Sequence, residues 1–170
     1  LEPDVIHDAR GYFMEAYNQK AFDAILGRAV RFVQDNQSRS TRGVLRGLHY
    51  QIPPHAQAKL VRVTHGGVFS VAVDLCRHSP TFGRWVGMEL SDSNRRQLWL
   101  PAGIAHGFLV TSESAECLYK TTDFYAPDFE RSVRWNDPAL AIDWPLQDKA
   151  PMLSERDADA PSLAEATLFE

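Results

Sequence analysis

Residues 60–75 read LVRVTHGGVFSVAVDL, and this stretch decides the fold. Two apolar runs flank the pair Gly66-Gly67, and the second run alternates in character along its length. The alternate residues on one side of it are all apolar: Phe69, Val71, Val73 and Leu75. The other side combines apolar with polar residues: Val68, Ser70, Ala72 and Asp74. A period of two is typical of a strand that buries one face. We therefore predict a half-buried β-strand from Val68 to Leu75, paired with neighbours such as Leu60–Val63.

Further short runs with strand character follow along the chain: Trp85–Leu90, Arg96–Leu100, Gly107–Val110 and Cys117–Thr122. Turn residues separate them, as at Ser79-Pro80 and Pro101-Ala102-Gly103. Strands spaced roughly 8–12 residues apart are typical of antiparallel sandwiches and barrels. The sequence therefore predicts a mainly β fold, jelly-roll-like rather than open α/β, in a single domain spanning residues 1–170.

Helical signals are few. Residues 18–26 place Phe22, Ile25 and Leu26 on one face, with Asn18 as the N-terminal cap and Gly27 as the stop. The last third of the chain is richer in Pro, Asp and Ala. We expect it to form a short helix or two and a tail that packs on the sheet.

Composition excludes several classes of protein. Of the 170 residues, 44% are apolar and 24% are charged, which is ordinary for a globular chain and unlike a disordered or coiled-coil one. The net charge of −4 argues against a general nucleic-acid binder. The sequence shows no signal peptide and no run of about 18 apolar residues, so we expect no membrane partner. Cys76 and Cys117 lack CxxC spacing, which fits a reducing cytoplasm.

Two of the six histidines have unusual surroundings. His49 lies in RGLHYQ and His106 lies in LPAGIAHGF, both flanked by Gly and large apolar residues. Such histidines point into an interior. A metal cupin would need HxH followed closely by Glu, but Tyr50 and Gln51 follow His49. The sequence therefore predicts no metal at this site.

Cationic and phenolic side chains are predicted to line the interior: Arg46, His49, Lys59, Arg62, His106, Tyr119 and Lys120. Each alone has an ordinary structural explanation, such as a surface lysine or a packed tyrosine. Together they suit proton transfer at carbon. A neutral histidine abstracts a proton beside a carbonyl, Lys59 stabilises the enolate oxygen, and Tyr119 returns a proton on the opposite face. Removal from one face and return to the other is epimerisation.

Several motifs, in one order, resemble the dTDP-4-dehydrorhamnose 3,5-epimerase family. They include RGLHYQ, AKLVRV, SPTFG, RQLWLPAGIAHGF, LYKTTD and WNDP, and the resemblance extends from about Arg10 to about Asp157. It implies a metal-free, cupin-type antiparallel jelly-roll barrel that works without a cofactor, usually as a homodimer. It also implies a nucleotide-sugar substrate, a dTDP-4-keto-6-deoxyhexose that is inverted at C3 and C5 on the way to dTDP-L-rhamnose.

The resemblance also implies roles for individual residues. His49 matches the catalytic base, Asp157 in LSERD matches its carboxylate partner, and Tyr119 matches the proton donor. Lys59 matches the residue near the C4 oxygen, and His106 matches a further sugar contact. The other matches to substrate-binding positions are Arg10, Glu15, Gln34, Asn36, Arg46, Tyr125 and Glu130. Arg46 suits the diphosphate because a guanidinium presents a fork of donors. A local positive field in the interior is expected from Arg10, Arg46, Lys59 and His106.

Departures from the family pattern leave alternatives open. Ala58 stands where the family commonly has Gly, Arg156 where Lys is common, and Phe124 where Tyr is frequent. One alternative is a single-carbon epimerase acting at C3 or C5, and another is a ketoisomerase on a related dTDP-4-keto sugar. A third is a non-catalytic sugar-nucleotide-binding cupin. Tyr125 is the alternative to Tyr119 as proton donor.

Overall fold

The computed structural model describes residues 1–147 and 149–170. It is mainly antiparallel β, with 41% strand and 9% helix, as predicted. The strands are β1 Ile6–Asp8, β2 Gly11–Phe13, β3 Gln34–Thr41, β4 Leu45–Gln51, β5 Lys59–His65, β6 Gly67–Asp74, β7 Trp85–Ser91, β8 Gln97–Leu100, β9 Ile104–Val110, β10 Ser114–Thr121 and β11 Glu130–Ser132. The α-helices are α1 Gln19–Leu26 and α2 Glu155–Ala158, and a single 3-10 turn occupies Pro127–Phe129.

Two sheets form the body of the fold. One has the order β3-β10-β5-β8, the other has the order β11-β4-β9-β6-β7, and β1 pairs with β2 in a separate hairpin. All of these pairs are antiparallel, and several join strands far apart in sequence, as β4 with β9. The architecture agrees with the predicted cupin-type jelly roll.

The two largest apolar clusters lie on opposite faces of the five-stranded sheet. Between the sheets, Val61 and Cys117 of one sheet pack with Val68 and Phe108 of the other. On the outer face, a second cluster covers the five-stranded sheet: Val71, Val73, Leu75, Val133, Leu140, Trp144 and Phe169 are among its members. The predicted packing of the C-terminal tail on the sheet is therefore confirmed.

Strand β6 lies between these two clusters. Its alternation is as predicted, since Val68 and Ala72 belong to the inner cluster while Val71 and Val73 belong to the outer one. The prediction that the strand is only half-buried is wrong, because the C-terminal tail covers its second face.

Helix α1 has the predicted ends. The Asn18 side chain accepts a hydrogen bond from the Ala21 backbone N–H, and Gly27 ends the helix at φ 67°. Phe22 packs in a small cluster with Val30 and Leu60, but Ile25 remains 64% exposed. The predicted helix is confirmed, and its apolar face is narrower than its sequence suggests.

Strands β3 and β4 were not predicted from the sequence. Strand β3 reads QDNQSRST and has no apolar residue, so it lacks the usual strand signal. It forms because β10 pairs with it along its whole length, with Asn36 opposite Tyr119. Its even-numbered residues are half-buried or buried, whereas its odd-numbered residues are exposed. This pairing places a row of uncharged polar side chains on the inner wall.

Strands β4 and β9 approach each other closely at two glycines. A Cβ on Gly47 would lie 2.6 Å from the Gly107 Cα, and Gly47 has φ 119°. The register between the strands shifts between Arg46 and His49, after which His49 lies opposite His106. Opposite residues of an antiparallel pair share a face, so the two histidines lie side by side.

Candidate active site

A cavity of about 400 Å³ opens between the two sheets, beside α2. Its polar and ionisable lining residues are Ser38, Arg46, His49, Lys59, His106, Cys117, Tyr119, Ser154, Arg156 and Asp157. A second cavity of about 220 Å³ shares His49, Lys59 and Tyr119 and adds Gln34, Asn36, Tyr125 and Glu130. All of the residues that the family resemblance matches to the site, except Arg10 and Glu15, therefore line one of two adjoining cavities.

His49 and Asp157 form a short polar contact at the edge of the cavity. The His49 Nε2 lies 2.5 Å from Asp157 Oδ1, although the residues are 108 positions apart. A carboxylate at one ring nitrogen holds the proton there and leaves the lone pair on the other nitrogen. His49 is thereby prepared to accept a proton at Nδ1.

Asp157 is fixed by the start of α2. Ser154 caps this helix, its hydroxyl donates to Asp157 Oδ2 over 2.9 Å, and the Asp157 backbone N–H donates to the same hydroxyl. Burial, at 2% exposure, acts to raise the pKa of Asp157. Hydrogen bonds from His49, Ser154 and the Gly47 backbone outweigh burial and lower that pKa below its ordinary value. Asp157 is therefore an anion at neutral pH.

His106 is the buried neighbour of His49. Its Nε2 lies 2.9 Å from the Ser70 hydroxyl oxygen. Burial of the ring, helped by the positive charge of Lys59, lowers the pKa of His106 to about 3. The ring is therefore neutral at physiological pH, so the expectation that it adds to a positive field is wrong.

Lys59 begins strand β5 and lines both cavities. Burial lowers its pKa to about 8, against the opposing effect of the Glu130 carboxylate. The ammonium remains mainly charged at neutral pH. It is the cation that the two cavities have in common, in position to meet a developing oxyanion.

The two tyrosines differ in burial and in bonding. Tyr119 is half-buried in β10, and burial followed by the Glu130 charge raises the pKa of its phenol. Tyr125 is 55% exposed, and its hydroxyl donates to Glu130 Oε2 over 2.7 Å. Arg156 donates to the same carboxylate oxygen over 2.5 Å. The Tyr125 proton is thus held by Glu130, whereas Tyr119 faces both cavities.

The remaining predicted binding residues surround the mouth. Arg46, an exposed residue of β4, donates from Nε to the Ser40 hydroxyl over 3.0 Å. The Gln34 amide donates to Asn36, and its carbonyl accepts from the Tyr125 backbone N–H. These contacts set the direction of Arg46 and of the Gln34 amide before any substrate is bound.

Four predicted residues lie elsewhere. Arg10 is at the β1–β2 turn, where it pairs with Asp8, and Glu15 is exposed near the start of α1. The prediction that Arg62 and Lys120 line the interior is wrong, because both face the outside of the four-stranded sheet. Lys120 pairs there with Asp35 over 2.9 Å. Arg62 lies between the inward-facing Val61 and Val63, and Lys120 follows the inward-facing Tyr119, so both side chains point to the opposite face of the sheet.

Sequence reasoning missed several residues that act on the site. Ser40 and Ser70 contact Arg46 and His106, and nothing in their local sequence indicates it. Ser154 was visible as a helix cap, since Ser-x-x-Asp is a capping pattern. Arg156 was noted only as a departure from the family pattern, but it lines the cavity.

Within residues 1–147 and 149–170, no cluster of three or more His, Cys, Asp or Glu side chains has metal-binding geometry. In the same residues, neither helix is long and apolar enough to cross a bilayer.

Comparisons with known proteins show what this chain is similar to. The family model described as dTDP-4-dehydrorhamnose 3,5-epimerase matches residues 1–165. A protein of that name from Pseudomonas aeruginosa is 64% identical over 99% of this chain and 92% of its own length. Another from Shigella flexneri is 54% identical, again over 99% and 92%.

Solved structures agree as well. A 3,5-epimerase from Legionella pneumophila in complex with dTDP-4-keto-L-rhamnose has a TM-score of 0.92 and 52% identity, covering 96% of this chain and 86% of that one. A 3'-monoepimerase from Streptomyces bikiniensis in complex with dTDP-quinovose has a TM-score of 0.91 and 38% identity, covering 96% and 82%. Because the family model matches residues 1–165 of this chain, the chain belongs to the dTDP-4-dehydrorhamnose 3,5-epimerase family of isomerases.

Proposed function

We propose that the protein inverts C3 and C5 of dTDP-4-keto-6-deoxy-D-glucose and so makes dTDP-4-keto-L-rhamnose. The observation that carries this proposal is His49 on the five-stranded sheet, paired with Asp157 of α2, with Tyr119 on the other sheet and Lys59 in the same cavity. A base and an acid on opposite walls are what inversion requires, because the proton must leave one face and return to the other.

Each inversion removes one proton from the carbon and returns another to it. His49 Nδ1 takes the proton from C3 or C5, the electron pair of that C–H bond forms a double bond to C4, and the π pair of the C4 carbonyl moves to its oxygen. The Lys59 ammonium stabilises the resulting enolate. Tyr119 then donates its phenolic proton to the opposite face of the carbon, which restores the carbonyl. His49 releases its proton to solvent, and Tyr119 regains one.

Tyr119 is the better candidate for the acid. It lines both cavities and is half-buried, whereas Tyr125 is exposed and its proton is bound to Glu130. A phenol of raised pKa holds its proton until a strongly basic enolate carbon is present. Tyr125, with Gln34, Asn36 and Glu130, is assigned to substrate binding at the mouth.

The test is incubation with dTDP-4-keto-6-deoxy-D-glucose in heavy water, with deuterium followed at C3 and C5 by NMR. We expect label at both carbons; label at one alone would indicate a single-carbon epimerase, such as the Streptomyces bikiniensis relative is described to be. No label at either carbon would overturn the proposal. His49→Ala should abolish exchange, with His65→Ala at an exposed position as the matched control.

A Tyr119→Phe variant separates the two tyrosines. It should still wash deuterium into the substrate on the His49 face, because proton removal survives, but it should not give inverted product. Tyr125→Phe should keep inversion and raise KM. Inversion that survives in Tyr119→Phe and is lost in Tyr125→Phe would transfer the acid role to Tyr125.

We infer further that the working form is a homodimer. The β1–β2 hairpin exposes Ile6, Tyr12 and Phe13, at 65%, 56% and 66%. Ile6 and Phe13 lie opposite each other in the hairpin and share a face, and an exposed apolar pair of this kind favours a protein partner. Arg10 and Glu15 lie on and beside this hairpin, so a second copy is a route by which they reach a nucleotide. Phe13→Asp should give a monomer by light scattering and raise KM; a wild-type monomer at assay concentration contradicts the inference.

A further inference from the structure

Ser70 makes a buried contact that has so far been given no role. It lies on β6, is 0% exposed and does not line either cavity of the site. Its hydroxyl oxygen is 2.9 Å from the Nε2 of His106 on the adjacent strand β9. Ser70 and His106 both project from the inner face of the five-stranded sheet, so the contact fixes the Nε2 end of a ring that lines the larger cavity.

The Ser70 hydroxyl has one hydrogen, which needs an acceptor. Among residues 1–147 and 149–170, the Ser70 oxygen has no hydrogen-bond partner except His106. At 0% exposure the hydroxyl cannot turn toward bulk water. A buried donor left without an acceptor is strongly unfavourable, so the hydrogen points at Nε2. An Nε2 that accepts this hydrogen bond carries a lone pair and no hydrogen.

The ring then has only one nitrogen left for its own proton. It is buried next to the Lys59 ammonium, which opposes a second positive charge, so His106 is neutral. A neutral imidazole has one N–H and one lone pair. We propose that Ser70 is a positioning residue that sets the tautomer of His106, so that the ring carries its proton on Nδ1 and presents an uncharged N–H donor to the cavity.

The neighbouring histidine has the opposite arrangement. His49 and His106 lie opposite each other in the β4–β9 pair, yet their Nε2 atoms face different partners. The Asp157 carboxylate accepts the His49 Nε2–H, so the His49 lone pair is on Nδ1. The Ser70 hydroxyl donates to the His106 Nε2, so the His106 hydrogen is on Nδ1. One histidine is therefore a base and the other a hydrogen-bond donor, according to which group each meets at Nε2.

The tautomer of His106 follows from its contacts, whereas its role in catalysis rests on the proposed function. A neutral N–H donor stabilises a developing oxyanion without exchanging a proton with solvent, and it does not compete with His49 as a base. The His106 N–H complements Lys59, because Lys59 contributes a positive charge and His106 contributes a directional hydrogen bond. The expected target is the sugar oxygen that becomes negative when His49 removes its proton.

Nitrogen-15 NMR tests the tautomer without reference to turnover. Long-range proton–nitrogen spectra of labelled wild type at pH 7 should show a protonated Nδ1 and an unprotonated Nε2 for the ring whose signals vanish in His106→Asn. Ser70→Thr, which keeps the hydroxyl, should preserve this pattern. Ser70→Asp should reverse it, because a carboxylate accepts from Nε2. A wild-type ring protonated at Nε2 would overturn the proposal.

Kinetics supply the second arm. Ser70→Ala removes the donor to Nε2, and kcat should fall about tenfold, the effect of one hydrogen bond, with KM little changed. Ser70→Thr should recover most of that loss, whereas Ser91→Ala, which removes a buried hydroxyl on β7, should leave kcat unchanged. An unaltered tautomer in folded Ser70→Ala contradicts the inference. Absence of deuterium exchange in wild type would instead contradict the proposed function and leave the NMR result standing.

Discussion

Replacing Asp157 by Asn tests the base most sharply, because the change keeps shape and removes charge. The carboxylate accepts from His49 Nε2 at 2.5 Å and from the Ser154 hydroxyl at 2.9 Å. An asparagine that keeps its carbonyl on Ser154 turns its amide N–H₂ toward His49. Two donors would then meet, so the imidazole must move its proton to Nδ1, where it blocks the base.

The magnitude follows from these contacts. A hydrogen bond to a charged group contributes about 1.5–3 kcal/mol, which corresponds to a rate loss of about 10–150-fold if it acts only on the imidazolium of the transition state. The reversed tautomer adds to this, because it removes a general base whose contribution is typically about 10²–10⁴-fold. We therefore expect kcat for deuterium exchange to fall by about 10²–10⁴-fold, with KM little changed.

The assay is the rate of deuterium uptake at C3 and C5, measured beside the thermal midpoint of unfolding. Asp137→Asn is the matched control, since Asp137 is also buried but accepts from backbone N–H groups of the C-terminal region, away from the cavities. A folded Asp157→Asn protein that exchanges within about threefold of wild type would refute the reasoning.

The pKa of Asp157 is lowered, so its contribution to stability is present above pH 3.8 and is lost as pH falls through its folded pKa.

Three further predictions concern other parts of the fold. Because burial lowers the pKa of Lys59 to about 8, activity should fall as pH rises through that value, and Lys59→Arg should move the falling limb upward in a pH–rate profile. Gly47→Ala should destabilise the protein by at least about 2 kcal/mol in urea, since its Cβ would lie 2.6 Å from Gly107; Gly43→Ala, with positive φ but open space, should cost less. Burial raises the pKa of the Cys117 thiol to about 12, so iodoacetamide at pH 8 should modify it only after unfolding; rapid labelling of native protein would contradict this.

Local sequence patterns predicted the ends of helix α1 and the alternation of strand β6. The Asn18 cap and the Gly27 stop bounded α1 because both act within one helical turn. The alternation of residues 68–75 predicted which side chains of β6 share a face. Burial of the second face was not predictable, because it depends on a tail that arrives from residues 133–169.

The sequence was least informative where a strand forms by pairing with a distant strand and not through its own apolar residues. Strand β3 has no apolar residue, and its partner β10 is about 80 positions away, as the Tyr119–Asn36 pair shows. The assignment of Arg62 and Lys120 to the interior failed for a related reason. Composition indicated cationic residues near the wall, but only the register of β5 and β10 decides which of two adjacent residues faces inward.

By itself, the sequence determined an antiparallel β fold, the family and most of the residue types that line the site, because these are recorded in periodicity and in contiguous motifs. Only the tertiary structure decided which groups meet. His49 and Asp157 are 108 positions apart, and Ser70 and His106 are 36 apart. Each pair depends on sheet register and on the docking of α2, which are set by long-range packing. The two histidines stand in similar local sequence, and it is the groups that packing brings to their Nε2 atoms that make one a base and, by our inference, the other a donor.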